Sequence, residues 1–213
     1  MKLTKLGHAC LLLEHEGRRL IIDPGGLTEL PENLKNVDVI IVTEEHGDHF
    51  NSGAIRAILA ANECAAVYST TTLAEDLQSE GIKCTAVSGS LQTTEGSFEL
   101  SFNETDHAVV YGSSPCRVLC VQVNNFLYYA SDSFIACNNK VEVVAVPTSG
   151  PWMKLAEVIE YINQIDCKTV LATHIALNSD IGNTVANSSI AAHITEETKE
   201  WLCLLDGESK SFI

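Results

Sequence analysis

Apolar positions along the chain gather in short runs punctuated by turn-forming residues, the pattern of many strands joined by loops. Residues 2–6, 10–15 and 18–23 are rich in Leu and Ile, and Glu16-Gly17 between the second and third runs marks a turn, so the chain is predicted to begin with a β-hairpin. Asp23-Pro24-Gly25-Gly26 breaks the third run, and Pro31 keeps the next segment irregular until residues 37–43, which predict a buried strand. Asn51-Ser52 then stands where an N-cap would, ahead of a helix-period stretch over 53–61. A strand over 65–69, a helix from about 70 to 81 and strands near 84–87 and 97–103 continue the alternation.

The second half repeats the theme. Runs 117–123 and 126–130 flank Asn124-Asn125, a hairpin signal, and 141–146 predicts another buried strand. Pro151 and Trp152 are expected to open a helix to about 164, followed by a strand over 168–173 and a helical tail from about 188 to 205. Strands alternating with helices give a mixed α/β class, and the common layout of the halves suggests an internal pseudo-repeat. A length of 213 residues fits one domain spanning 1–213.

Composition narrows the functional classes. Thirteen Lys+Arg against 28 Asp+Glu give a formal charge of −15, which repels phosphate backbones and argues against a nucleic-acid partner. Eight cysteines contain no CxxC pair and several fall in apolar runs, so they are expected to be small core residues of a protein in a reducing compartment. The apolar run 9–13 is too short for a signal peptide, and no run approaches the roughly 18 residues of a membrane span. The expected setting is cytoplasmic, away from membranes, with a small-molecule substrate as partner.

Polar residues collect at the predicted strand ends, where loops build sites. Glu44, His46, Asp48 and His49 follow the 37–43 strand within one short loop; His107, Asp132 and His174 each stand just past a later strand. Imidazole and carboxylate groups converging from such loops suit zinc, and also manganese or iron. Taken alone, His-x-Asp-His is a weak motif; the ordered His, Asp and His downstream give it weight. His8 is read as a buried structural histidine, Asp23 as a turn residue or the acceptor for a ligand histidine, Trp152 and Met153 as core, and His15 and His193 as surface. There is no G-x-S-x-G elbow, phosphate-cradling glycine loop or zinc-ribbon cysteine pair.

Taken together, Thr43-Glu44-Glu45-His46-Gly47-Asp48-His49 with the distant His107, Asp132 and His174 resembles the T-H-x-H-x-D-H loop and downstream ligands of the metallo-β-lactamase superfamily. The segments LGHACLLLE, IIDPG and AVPTSGPWMKLAEV before LATH resemble in particular the subgroup related to ascorbate-6-phosphate lactonase. The resemblance implies a four-layer αββα sandwich and a metal-dependent hydrolase holding one or two zinc ions. It implies that His46 and His107 bind a first metal, that Asp48, His49 and His174 bind a second, and that Asp132 bridges them. Glu44 replaces the family's first histidine, which adds a carboxylate and shifts preference toward manganese or iron. In a mononuclear form, Glu44 or Asp48 would be the general base. The expected reaction is hydrolysis of a lactone, which the subgroup resemblance implies, or of a phosphodiester, which two-metal chemistry also serves; the alternatives are a degenerate, non-catalytic binding homologue, motivated by Glu44, and an iron-dependent redox enzyme of the same fold.

Overall fold

The computed structural model describes residues 1–112, 115–194 and 199–213. One sheet is built from β1 (Lys2–Lys5), β2 (Leu11–His15), β3 (Arg18–Ile22), β4 (Val37–Val42), β5 (Ala66–Thr70) and β6 (Thr85–Val87). The other is built from β7 (Ser90–Glu95), β8 (Phe98–Asp106), β9 (Arg117–Val123), β10 (Leu127–Tyr129), β11 (Val141–Pro147), β12 (Cys167–Thr173) and β13 (Glu200–Leu202). A last strand, β14 (Ser209–Ser211), returns to the first sheet, giving the orders β14-β1-β2-β3-β4-β5-β6 and β13-β12-β11-β10-β9-β8-β7. Four helices complete the described residues: α1 (Ser52–Ala61), α2 (Thr71–Ser79), α3 (Leu155–Ile162) and α4 (Asp180–His193).

The pseudo-repeat is written in the pairing. From β1 to β6 neighbours pair antiparallel twice and then parallel three times, and β8 to β13 follow the same succession. Helices α1 and α2 fill the last two parallel crossovers of the first half, α3 and α4 the last two of the second, while β14 beside β1 matches β7 beside β8.

Alternation within the strands creates the layers. Leu20 and Ile22 of β3 and Val39 and Ile41 of β4 face Phe102, Val121, Tyr129 and Leu171 of the opposite sheet. Ile21, Ile40 and Val42 point the other way, onto Ile55 and Ile58 of α1 and Leu73 and Leu77 of α2. Val144 and Val146 of β11 do the same beneath Val158 and Ile162 of α3 and Ile190 of α4. The result is an αββα sandwich whose central strands are buried on both faces, which is why they read as continuous apolar runs.

Three expectations need correction. Helix α3 opens at Leu155 rather than Trp152, because the Trp152 indole donates to Asp132 and holds residues 151–152 in a turn. The predicted tail helix over 188–205 ends at His193 in α4; residues 195–198 lie outside the described residues, and Glu200–Leu202 is a strand pairing parallel with β12. The segment Ser90–Glu95, assigned no element from its sequence, is a polar edge strand.

Candidate metal centre

The seven expected ligands come to one end of the sandwich, together with Asp23 and His8, because the strands they follow end there. Asp23 follows β3, Glu44 through His49 follow β4, His107 follows β8, Asp132 follows β10 and His174 follows β12, while His8 lies in the β1–β2 connection. The turns are tight. Asp23, Ser131 and His174 take positive φ of 49°, 53° and 60°, a conformation costly for residues with a Cβ and found where the surrounding structure fixes it. Gly25 packs directly under the metal-loop backbone: a Cβ there would sit 1.8 Å from the Asp48 carbonyl oxygen, so only glycine fits.

Glu44, His49, Asp132 and His174 are almost wholly buried. Asp132 lies between the other groups, with Oδ2 3.5 Å from His107 Nε2 and 3.3 Å from His174 Nε2, and Oδ1 3.4 Å from His49 Nε2. On one side, Glu44 Oε2 touches His46 Nδ1 and lies 3.6 Å from His107 Nε2. On the other, Asp48 Oδ2 is 3.3 Å from His174 Nε2 and 4.0 Å from His49 Nε2.

Hydrogen bonds fix which ring nitrogens face inward. His49 Nδ1–H donates to Asp23 Oδ2 at 2.8 Å, His174 Nδ1–H to the Ser149 carbonyl, and His107 Nδ1–H to the Ala108 carbonyl. Their Nε2 atoms therefore present lone pairs to the centre, the orientation a metal-ligating imidazole needs. His49 Nε2 and His174 Nε2 face each other at 3.2 Å. Two lone pairs at that distance, walled by carboxylates, call for a cation between them. Asp132 Oδ1, buried without a hydrogen-bond partner, is a further acceptor waiting for one. The donor set fits a divalent metal.

His8 has the opposite polarity. Its Nδ1 accepts the Ala176 N–H at 3.0 Å, so Nε2 carries the proton and points at Asp48 Oδ2, 3.3 Å away. Burial lowers its pKa, against the pull of Asp48, and keeps that neutral tautomer. His8 thus steadies Asp48 rather than offering a lone pair.

Residues 2–174 match the model of the β-lactamase superfamily domain. The chain belongs to the metallo-β-lactamase superfamily. A protein of Desulforamulus reducens named a metal-dependent hydrolase is 28% identical over 199 residues, covering 82% of this chain and 84% of its own. Among solved structures, Igni18, a metallo hydrolase from the archaeon Ignicoccus hospitalis, superposes with a TM-score of 0.75 at 16% identity, over 100% of this chain and 99% of its own. CmlA, a diiron β-hydroxylase from Streptomyces venezuelae, gives a TM-score of 0.72 at 15% identity over 98% of this chain and 53% of its own. Likeness at that identity speaks for a shared fold.

Each superfamily position named from the sequence is thus present in one constellation, and Glu44 rather than the exposed Glu45 turns inward. Asp23 is the acceptor for a histidine, as expected. His8 is buried and hydrogen-bonded, as expected, and it also faces Asp48; Trp152 was misjudged, for its indole N–H donates to Asp132 Oδ2 at 2.9 Å with its ring 5.7 Å from that of His107. The pseudo-repeat would have flagged His8, which follows β1 as His107 follows β8. Cys116 was also missed; it stands beside Glu44, His46 and His107, and burial, with help from Glu44 and Glu45, pushes its thiol up to about 12. The cysteines as a set are less uniform than expected: Cys10, Cys84, Cys120 and Cys167 are buried, Cys116 and Cys137 half-buried, and Cys64 and Cys203 exposed.

The charges of the centre support one another. Burial disfavours charged His174, yet its bonds to Asp132 and Asp48 outweigh that and raise its pKa to about 9. His49 is raised too, since Asp132, Glu44 and Asp23 overcome its desolvation. Asp132 and Asp48 move the other way: burial would raise both, and the surrounding imidazoles hold them ionised.

Proposed function

We propose that this protein is a metal-dependent hydrolase of a small ester-like substrate, a lactone or a phosphodiester, with Glu44, His46, Asp48, His49, His107, Asp132 and His174 holding one or two metal ions. The observation that carries this reading is the pair of inward lone pairs on His49 and His174, 3.2 Å apart beside Asp132. A divalent cation held there would supply an acidified water and would polarise the carbonyl or phosphoryl oxygen of the substrate.

The chain's own residues do the rest. Asp23, Ser149 and Ala108 set the tautomers of His49, His174 and His107. Asp132 stands where it reaches both groups of ligands. Of the two candidate bases, Glu44 is buried with Oε2 engaged by His46 and Oε1 by the Ser131 hydroxyl, whereas Asp48 is about a quarter exposed, 24%, and meets solvent. Proton transfer therefore belongs to Asp48, oriented by His8. A cleft of about 240 Å³ lined by His46, His107, Ala108, Val109, Val110 and Cys116 gives the apolar part of a substrate a place beside the centre. This reading keeps the reducing, cytoplasmic setting expected from the sequence; no helix among the described residues is long and apolar enough to cross a membrane.

An iron-dependent oxidation is the second reading, favoured by three carboxylates among the ligands. The assay that tests the proposal offers purified, zinc-loaded protein a panel of lactones and phosphodiesters, with Asp132→Ala as control. Turnover lost in the variant supports hydrolysis; no turnover with zinc or manganese, and oxygen uptake with iron, favours the second reading.

A further inference from the structure

One member of the centre has no place in the ligand set just proposed. The β8–β9 register pairs Asp106 with Arg117, and the ladder runs one step further, with the His107 N–H donating to the Cys116 carbonyl at 3.1 Å. Directly opposed residues of an antiparallel pair present their side chains to the same face, roughly 4.5–5.5 Å apart at Cβ, so the ladder that delivers His107 to the centre delivers Cys116 with it. Ligand atoms of Glu44, His46, His107 and Cys116 all lie within 4.8 Å of one another. Asp132 Oδ2 lies 3.5 Å from His107 Nε2, while its Oδ1 turns to His49 Nε2, 3.4 Å away in the other ligand group.

Resting on the reading that a metal occupies this centre, we propose that Cys116 is a further protein ligand of the first metal position, joining Glu44, His46 and His107 on the side that Asp132 bridges. The Cys116 S–H bond breaks as the sulfur–metal bond forms, the proton leaves to solvent, and no electron is transferred. A position filled by protein ligands would be a closed zinc site, whereas a catalytic one keeps a place open for water or substrate. The soft thiolate offsets the hard Glu44 carboxylate and turns the preference of this position back toward zinc. The open position that substrate requires then falls to the other side, at Asp48, His49 and His174.

Cobalt(II) reports the thiolate without any substrate. The wild-type protein loaded with cobalt is expected to show a near-ultraviolet sulfur-to-cobalt charge-transfer band that Cys116→Ser removes while cobalt still binds. Zinc affinity of that variant is expected to fall by more than the roughly 10–100-fold that loss of a ligand's hydrogen-bond partner costs. Cobalt bound by the wild type without the band, or a band that survives Cys116→Ser, overturns the proposal and leaves the hydrolase reading standing. Failure of the wild type to bind cobalt overturns both. If Cys116→Ser does not fold, Cys116→Asp is the second variant, expected to keep cobalt and lose the band.

Discussion

Gly25 shows how one residue governs the centre from outside it. Any Cβ at that position meets the Asp48 carbonyl oxygen at 1.8 Å, so Gly25→Ala must push the metal loop away. Overpacking of this kind costs about 1–3 kcal/mol or more, and here the displaced backbone carries ligands. The variant is expected to lose stability in urea and to retain less zinc, whereas Gly47→Ala, with nothing within 4 Å of its added Cβ, should match the wild type in both. Asp23 acts through a proton. Because it accepts from His49 Nδ1, Asp23→Ala frees the ring to take the other tautomer, and zinc affinity in a chelator competition should drop roughly 10–100-fold. Unchanged affinity would show that His49 needs no such partner.

At the scale of elements, strand β4 carries the metal loop on a segment buried from both sides. Ile40 faces α1 and α2 while Ile41 faces the second sheet, so Ile40→Ala and Ile41→Ala should each cost roughly 2–5 kcal/mol in denaturant unfolding. A strand with one wet face would tolerate one of the pair. Gln92→Ala, on the exposed side of the edge strand β7, should stay within about 0.5 kcal/mol of wild type. The same contrast explains what the sequence makes legible. Strands such as β4, β9 and β11 are predominantly apolar runs because both faces are covered, and the ligands follow β4, β8, β10 and β12. Strand β7 is the run SLQTTE, polar on its wet face and only half-covered on the other, so no period stands out. Glu200–Leu202 gains its strand character from pairing with β12, which no local pattern announces. The site contacts of His8 and Trp152 escaped for a related reason: a lone His or Trp has the same local pattern whether it faces a core or a site, and only the packing of the two halves turns them toward Asp48 and Asp132.

Over the whole molecule, the pseudo-repeat brings two strand-end loop clusters together, and the cost is a buried crowd of ionisable groups. In the metal-free protein protons must stand in for the cation. His174 is raised to about 9 and His49 is raised as well, so their imidazolium contacts with Asp132 and Asp48 stabilise the fold fully below about pH 6.5 and are lost as pH rises through about 9. Asp48 and Asp132, both depressed, give stability that is present above about pH 4 and is lost in acid. The melting temperature of chelator-treated protein is therefore expected to fall between pH 6.5 and 9, while the zinc-loaded protein, whose ligands have released those protons, holds or gains over the same range. A metal-free melting temperature that rises across that window would contradict this account of the centre. The most direct test of the central claim is the metal content of protein purified without added metal and then dialysed against zinc, measured by elemental mass spectrometry. One to two equivalents per chain, falling in His49→Ala and His174→Ala, is the predicted result; a wild-type chain that retains no metal would contradict it.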